Sequence, residues 1–324
     1  MVNYIIKRIF AMIPVLLGVS LLIFSILYMV PGDPAALVLG EHASEESKEA
    51  WRDRYGLNDS FWVQYFDYVK DVVTEGDFGN SYKTGRPITQ TIMERFPTTF
   101  LLAVLASSTA MALGMILGII AATNKNTVID AVVGVFGMIG VSMPIFWFAL
   151  LLILFFAVNN PIFPVSGWYG PRYWVLPAIA LAFHHTASIM RITRSSMLDC
   201  IRQDYVRTAR AKGQSESFTI GHHVLKNAMI PIITAVGQTF GIAIGGAVIL
   251  EQIFSIPGLG RLMVDGINAR DYPQVRGSVL LLALSISVVN LIMDILYAFV
   301  DPRIKSQFKG TSRNKKKINK EASI

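Results

Sequence analysis

Six stretches of this sequence, from seventeen to forty residues long, contain no Asp, Glu, Lys or Arg: residues 9–32, 96–124, 131–170, 173–190, 227–250 and 277–293. A helix rises about 1.5 Å per residue, so roughly 20 apolar residues cross a hydrocarbon core. One charge at mid-bilayer costs about 2.5–3.5 kcal/mol, so windows this long without any are informative. Charged residues make up 16% of the chain, against about 25% in soluble domains. The expected fold is therefore all-α, a polytopic transmembrane helical bundle of about six spans. Residues 9–32 outrun a signal-peptide apolar region and lack a small-x-small cleavage site, so they are read as span 1. Residues 131–170 are too long for one span. Asn159, Asn160, Pro161, Pro164 and Gly167 mark where the third helix stops, with Pro144 inside it. The fourth span carries His184 and His185, and the sixth has Asp294 near its end.

Orientation follows from the basic residues in the flanks. Lys7 and Arg8 precede span 1. Segment 33–95 has 7 basic and 12 acidic residues, the loop 191–226 has 7 basic and 3 acidic, and the tail from Asp301 has 8 basic and 2 acidic. Threading six spans puts the N-terminus, the basic loop and the tail on one side, which the positive-inside rule makes cytoplasmic. The chain then divides into an N-terminus with span 1 (1–32), an external helical domain (33–95), a membrane core (96–300) and a basic cytoplasmic tail (301–324). The tail, with Arg313 and Lys315 to Lys317, suits an anionic leaflet better than nucleic acid, and no nucleic-acid partner is expected. Cys200 is the one cysteine, which excludes an internal disulfide and a cysteine metal cage.

Two connecting segments are more than tethers. In 33–95, aromatics are dense, and Asn58-Asp59-Ser60 offers a cap for a helix over 61–73, broken by Gly76 and Gly79. Both a self-packed cap at the membrane surface and a docking or gating surface fit that composition. In 191–226, DYVRTARAK (204–212) is a good helix former, Gly213 suits a left-handed stop, and Ser215 with Glu216 suits a second helix start. Phe218, Ile220, Val224 and Leu225 continue as an apolar stripe. Ala209, Ala211 and Gly213 leave room for a close approach, with Arg207 and Arg210 adding charge. An amphipathic loop that only sets topology fits the same residues.

DYVRTARAKG (204–213), continuing to NAMIPII (227–233), resembles the cytoplasmic coupling motif of ABC importer permeases. PGDPA (31–35), GDFGNSYKTGRPI (76–88), EQIFSIPGLGRLM (251–263), RDYPQVRG (270–277) and the terminal YAFVDPRIK further resemble the peptide/nickel permease family, in particular the first permease of dipeptide and oligopeptide importers. Arg207-Thr208-Ala209 stands where many importers have Glu-Ala-Ala, so the acidic residue's role does not transfer. The resemblance implies a half-pore for peptides in the cell (plasma or inner) membrane, with nickel or another small solute as the alternative cargo. It implies a heterodimer with a second homologous permease, two ATPase subunits and an external substrate-binding protein. The coupling residues it implies are Asp204, Tyr205, Arg207, Thr208, Ala209, Arg210, Ala211 and Gly213. The chain has no GxxxxGK[ST] phosphate loop, so hydrolysis belongs to another chain, and no cofactor, metal site or catalytic residue is expected. An ion-coupled transporter would place ionisable groups inside its spans, where only His184, His185 and Asp294 qualify. Interhelical hydrogen bonds are the expected role of the two histidines. Gly114, Gly118, Gly237, Gly241, Gly245 and Gly246 suit close helix packing.

Overall fold

The computed structural model describes the backbone of residues 2–300 and the side chains of 5–296, so the basic tail lies outside the described residues. All regular structure among them is helical. Helix α1 (Val2–Met29) is the first span. Three short helices follow. In α2 (Pro34–Leu39), Pro34 occupies the first turn and the Asp33 carboxylate accepts from the Ala35 amide at 2.9 Å. In α3 (Glu45–Arg54), the Ser44 hydroxyl caps Ser47 and Glu45 and Glu46 face the positive end of the dipole. Helix α4 (Phe61–Thr74) starts where the sequence predicts, although the Ser60 side chain makes no capping bond.

Helix α5 (Ile88–Thr123) begins eight residues before the uncharged run, because Glu94 and Arg95 tolerate a helix that protrudes from the bilayer. Helices α6 (Val128–Ser142) and α7 (Ile145–Ile153) replace the single third helix expected from sequence, and their axes bend by 104°. Pro144 lacks an N–H, and its ring forces Met143 into extended backbone (φ −80°, ψ 124°), so the helix cannot run through. A π-helical turn, Leu154–Asn159, ends this arm at the predicted Asn159. Helix α8 (Pro171–Ile201) runs well past Met190 and carries Arg191 and Arg194 out of the apolar zone. The first part of the 191–226 loop is therefore the end of this helix.

Helix α9 (Asp204–Ala211) and the Gly213 turn lead into α10 (Glu216–Phe218), a π-helical turn and α11 (Leu225–Ile253), one continuous run. Helix α12 (Leu259–Ala269) was not foreseen, and α13 (Tyr272–Val300) closes the bundle. Five helical runs are long and apolar enough to cross a membrane: those of α1, α5, α8, α10–α11 and α13. The bent α6–α7 pair makes a sixth if counted as one span.

Helices α5 and α8 share the most extensive packing. A β-carbon on Gly114 would stand 2.8 Å from the Ile189 β-carbon, and one on Gly118 would stand 2.5 Å from that of Thr193. Only glycine lets the two backbones approach this closely. In α11 the reading holds less well: Gly246 approaches Leu181, but Gly245 faces open space. The bundle has two ends. The acidic end carries α2–α4 and α12, and the basic end carries α9 and the α5–α6 turn.

Candidate functional site

Helix α9 turns two buried residues into the basic end. Val206 and Ala209, three apart and so on one face, are 0% and 7% exposed. Val206 packs into the cluster of Ala122, Met197, Val224, Ala228 and Ile232, and Ala209 is buried one turn further along. Ala209, expected at the docking surface, is thus turned into the bundle instead. Asp204, Tyr205, Arg207, Thr208, Arg210, Ala211 and Gly213 all face out. The Thr208 hydroxyl is used locally, donating to the Asp204 carbonyl at 2.9 Å.

The stop is a Schellman turn. The Gln214 amide donates to the Ala209 carbonyl at 3.3 Å and the Gly213 amide to that of Arg210 at 3.0 Å. Gly213 has φ +79° and nothing within 4 Å of where a β-carbon would stand. The glycine is there for its backbone, and the space beside it is open. Arg210 reaches across the turn to Glu216 with two hydrogen bonds, Nε to Oε2 at 3.0 Å and Nη2 to Oε1 at 2.6 Å. That paired carboxylate holds the Arg210 guanidinium above its ordinary pKa. His223 Nε2 and Gln214 Oε1, 2.9 Å apart, brace the far side. Arg207 is different: its side chain is 75% exposed and comes only within 3.7 Å of Asp204. The result is a stiff corner on an apolar seat, with one loosely held cation.

The same end carries a second link. Arg194 of α8 grips Asp130 of α6 through Nε and Nη2, both at 2.7 Å. At the acidic end, two carboxylates that the sequence does not single out organise the connections. Glu251 is 0% exposed. It accepts from the Thr99 hydroxyl at 2.6 Å and from the Arg261 amide at 2.8 Å. The Thr99 hydroxyl in turn accepts from the Leu259 amide at 2.8 Å, so α5 and α11 together cap the start of α12. Gly258 passes so close that a β-carbon would strike the Glu251 carboxylate. Asp271 accepts from the Ser81 hydroxyl and, at 3.1 Å, from the Tyr82 amide. It ties the 33–95 segment to the head of α13. The EQIFSIPGLGRLM and RDYPQVRG segments contain these carboxylates, and their roles appear only in three dimensions. His184 and His185 form no hydrogen bond; their rings meet edge to face at 5.8 Å. Among the described residues, neither ring takes part in the interhelical hydrogen bond that the sequence suggests.

A polytopic helical bundle with a stiffened, outward-facing helix–turn–helix at its basic end has the form of a transport permease. Residues 114–306 match the family described as binding-protein-dependent transport system inner membrane component, and residues 1–103 match the family of its N-terminal membrane segment. The chain is 39% identical to the dipeptide transport system permease protein DppB of Alkalihalophilus pseudofirmus, over 94% of this chain and all of the relative. It is equally identical to the glutathione transport system permease protein GsiC of Escherichia coli, over 94% of this chain and 99% of the relative. Among solved structures, the inward-facing MetNI methionine ABC transporter matches with TM-score 0.57 at 15% identity, covering 65% of this chain and 97% of that one. An amino acid ABC transporter solved with histidines matches with TM-score 0.51 at 17% identity, over 66% and 94%. The chain belongs to the binding-protein-dependent permeases of ABC importers, in their peptide branch. It is a multi-pass membrane protein, and its family works with ATPase and substrate-binding partners.

Proposed function

We propose that this chain is one half of the translocation pore of a peptide importer in the cell membrane. It pairs with a second, homologous permease, and the pore is driven by two ATPase subunits seated on α9 and the Gly213 turn. The reading rests chiefly on 39% identity to dipeptide and glutathione permeases over almost the whole chain. The basic end with both termini is cytoplasmic, as the excess of Lys and Arg requires. The acidic 33–95 domain faces the external binding protein. Asp204, Tyr205, Arg207, Thr208, Arg210, Ala211 and Gly213 form the ATPase surface. Ala209 contributes from beneath, as part of the seat. The chain hydrolyses nothing itself. When the ATPases close on ATP, α9 moves as a rigid lever on Val206 and Ala209, and the bundle follows.

The test is a pair of substitutions at Gly213. Gly213→Asn accepts the left-handed backbone at small strain, and should leave ATPase association and uptake within about twofold of normal. Gly213→Trp fills the open space beside the turn, and should abolish uptake while the chain still inserts in the membrane. Arg207→Glu should give a smaller loss, since exposed ion pairs contribute about 0.2–1 kcal/mol. Normal uptake by an assembled Gly213→Trp importer would show that the turn is not where the ATPase sits.

A further inference from the structure

Helix α4 has three faces. At about 100° per residue, Phe61, Gln64, Tyr65, Tyr68 and Val72 share one side, and its aromatics pack on α1. Phe24 lies 5.4 Å from Phe61 and 5.5 Å from Tyr65 between ring centroids, and the Tyr65 and Ser20 hydroxyls are 3.0 Å apart. Trp62, Phe66, Val69 and Val73 form a second stripe, about 110° round from the first. It contains no charge, yet Trp62, Phe66 and Val73 are 56%, 62% and 75% exposed. Asp67, Lys70, Asp71 and Thr74 make the third face, exposed and mostly polar, with Val63 among them.

Depth decides what the second face meets. At the basic end, Arg8 pairs with Asp294 at 2.8 Å, which marks a boundary of the apolar zone. Counting along α1 from Arg8, Ser20 is roughly 18 Å away and Phe24 roughly 24 Å at 1.5 Å per residue. Helix α13 supplies an independent ruler. The Arg276 guanidinium carbon lies 5.0 Å from the centre of the Phe24 ring, and Arg276 stands roughly 27 Å from Asp294 by the same rise. A hydrocarbon core is about 30 Å thick. The residues α4 rests on are therefore still at hydrocarbon depth, and α4 lies where acyl chains give way to headgroups. The exposed stripe also continues the exposed apolar surface of α1, a helix long and apolar enough to cross a membrane. Leu22, Ile26 and Met29 are exposed there. Rings run from Tyr28 to Phe61 at 5.1 Å, on to Trp62 at 5.0 Å and to Phe66 at 6.0 Å.

We propose that α4 is an interfacial membrane helix. Trp62, Phe66 and Val73 sit in the acyl–headgroup boundary of the leaflet at the acidic end, the outer leaflet in the orientation above. Interfacial helices bury an apolar face about 5–10 Å into that boundary, and tryptophan concentrates there. Protein, lipid and water then each take one of the three faces. The arrangement fixes the height of the 33–95 domain over the bilayer, and it holds whether or not α9 receives the ATPase.

The experiment places single cysteines, on a Cys200→Ser background, at 62, 66 and 73 and separately at 67, 70 and 74. Each carries a nitroxide, in the whole importer reconstituted into phosphatidylethanolamine–phosphatidylglycerol vesicles. Collision with oxygen, which dissolves in lipid, is compared with collision with a water-soluble nickel chelate. Oxygen should dominate several-fold at 62, 66 and 73, and the chelate should dominate at 67, 70 and 74. Chelate access at 62, 66 and 73 overturns the proposal, because that face is then in water and open to a soluble receptor. Low access to both reagents there also overturns it, because another protein, such as the second permease, then covers the stripe. Should Trp62→Cys fail to assemble, Phe66→Cys and Val73→Cys carry the same comparison.

Discussion

Asp33 performs two tasks with one carboxylate: it caps α2 and receives Arg52 Nη2 at 2.6 Å. Its hydrogen bond to Arg52 holds its pKa below the ordinary 3.8. A lowered carboxylate pKa stabilises the fold above the ordinary value, and that contribution is lost as pH falls through the folded one. Protection of the Ala35 amide from hydrogen exchange, corrected for the intrinsic rate, should therefore be constant near neutrality and drop below about pH 4. Asp33→Asn keeps a capping oxygen but not the charge, and should remove that drop. A drop that persists in Asp33→Asn would assign the pH dependence to another group. Residues whose work is local were legible in the sequence. Gly213 was, because a helix former followed by glycine implies a left-handed stop. Glu251 was not: its partner Thr99 is 152 residues away, and no local pattern announces such a pairing. Ala209 misled because small size permits burial as readily as close approach.

Among the elements, the spans were readable wherever burial in lipid is the dominant force, since a missing charge is a signal that needs no partner. Boundaries were less readable. Helices α5 and α8 overrun their uncharged windows, because a helix leaving the bilayer can keep its hydrogen bonds in water and carry Glu94 or Arg194 outward. The sequence places Pro144 inside one third helix, whereas extension of the preceding residue makes it a break of 104°. Helix α12 was missed because it is short, and because its start is capped by Thr99 and Glu251 from other helices rather than by its own flank. The α5–α8 contact is the element-level prediction. Gly118 lies against Thr193 and the Met190 carbonyl, where even a β-carbon would be 2.5 and 2.7 Å away. Gly118→Leu should force the helices apart, and the chain should be recovered from membranes at a small fraction of the normal level or without its partner subunits. Gly245→Leu faces open space and serves as the control, with near-normal recovery expected. Equal recovery of both variants would mean that α5 and α8 do not pack as closely as described.

At the scale of the whole molecule, rigid features are concentrated at the two ends. Arg194–Asp130 and the Arg210–Glu216 corner brace the basic end, while Glu251–Thr99 and Asp271–Ser81 brace the acidic end. Between them lie the close glycine contacts of α5 and α8 and the break at Pro144. That distribution agrees with a device pushed from one end to open at the other. The most direct test is uptake by the importer purified with its co-purifying subunits and reconstituted in vesicles, with its binding protein outside. The account predicts that a labelled short peptide accumulates only when ATP is present on the side of α9, and that abolishing ion gradients leaves the rate unchanged. Accumulation without ATP, driven by a proton or sodium gradient, would contradict it, and so would ATP-driven uptake of nickel with none of any peptide.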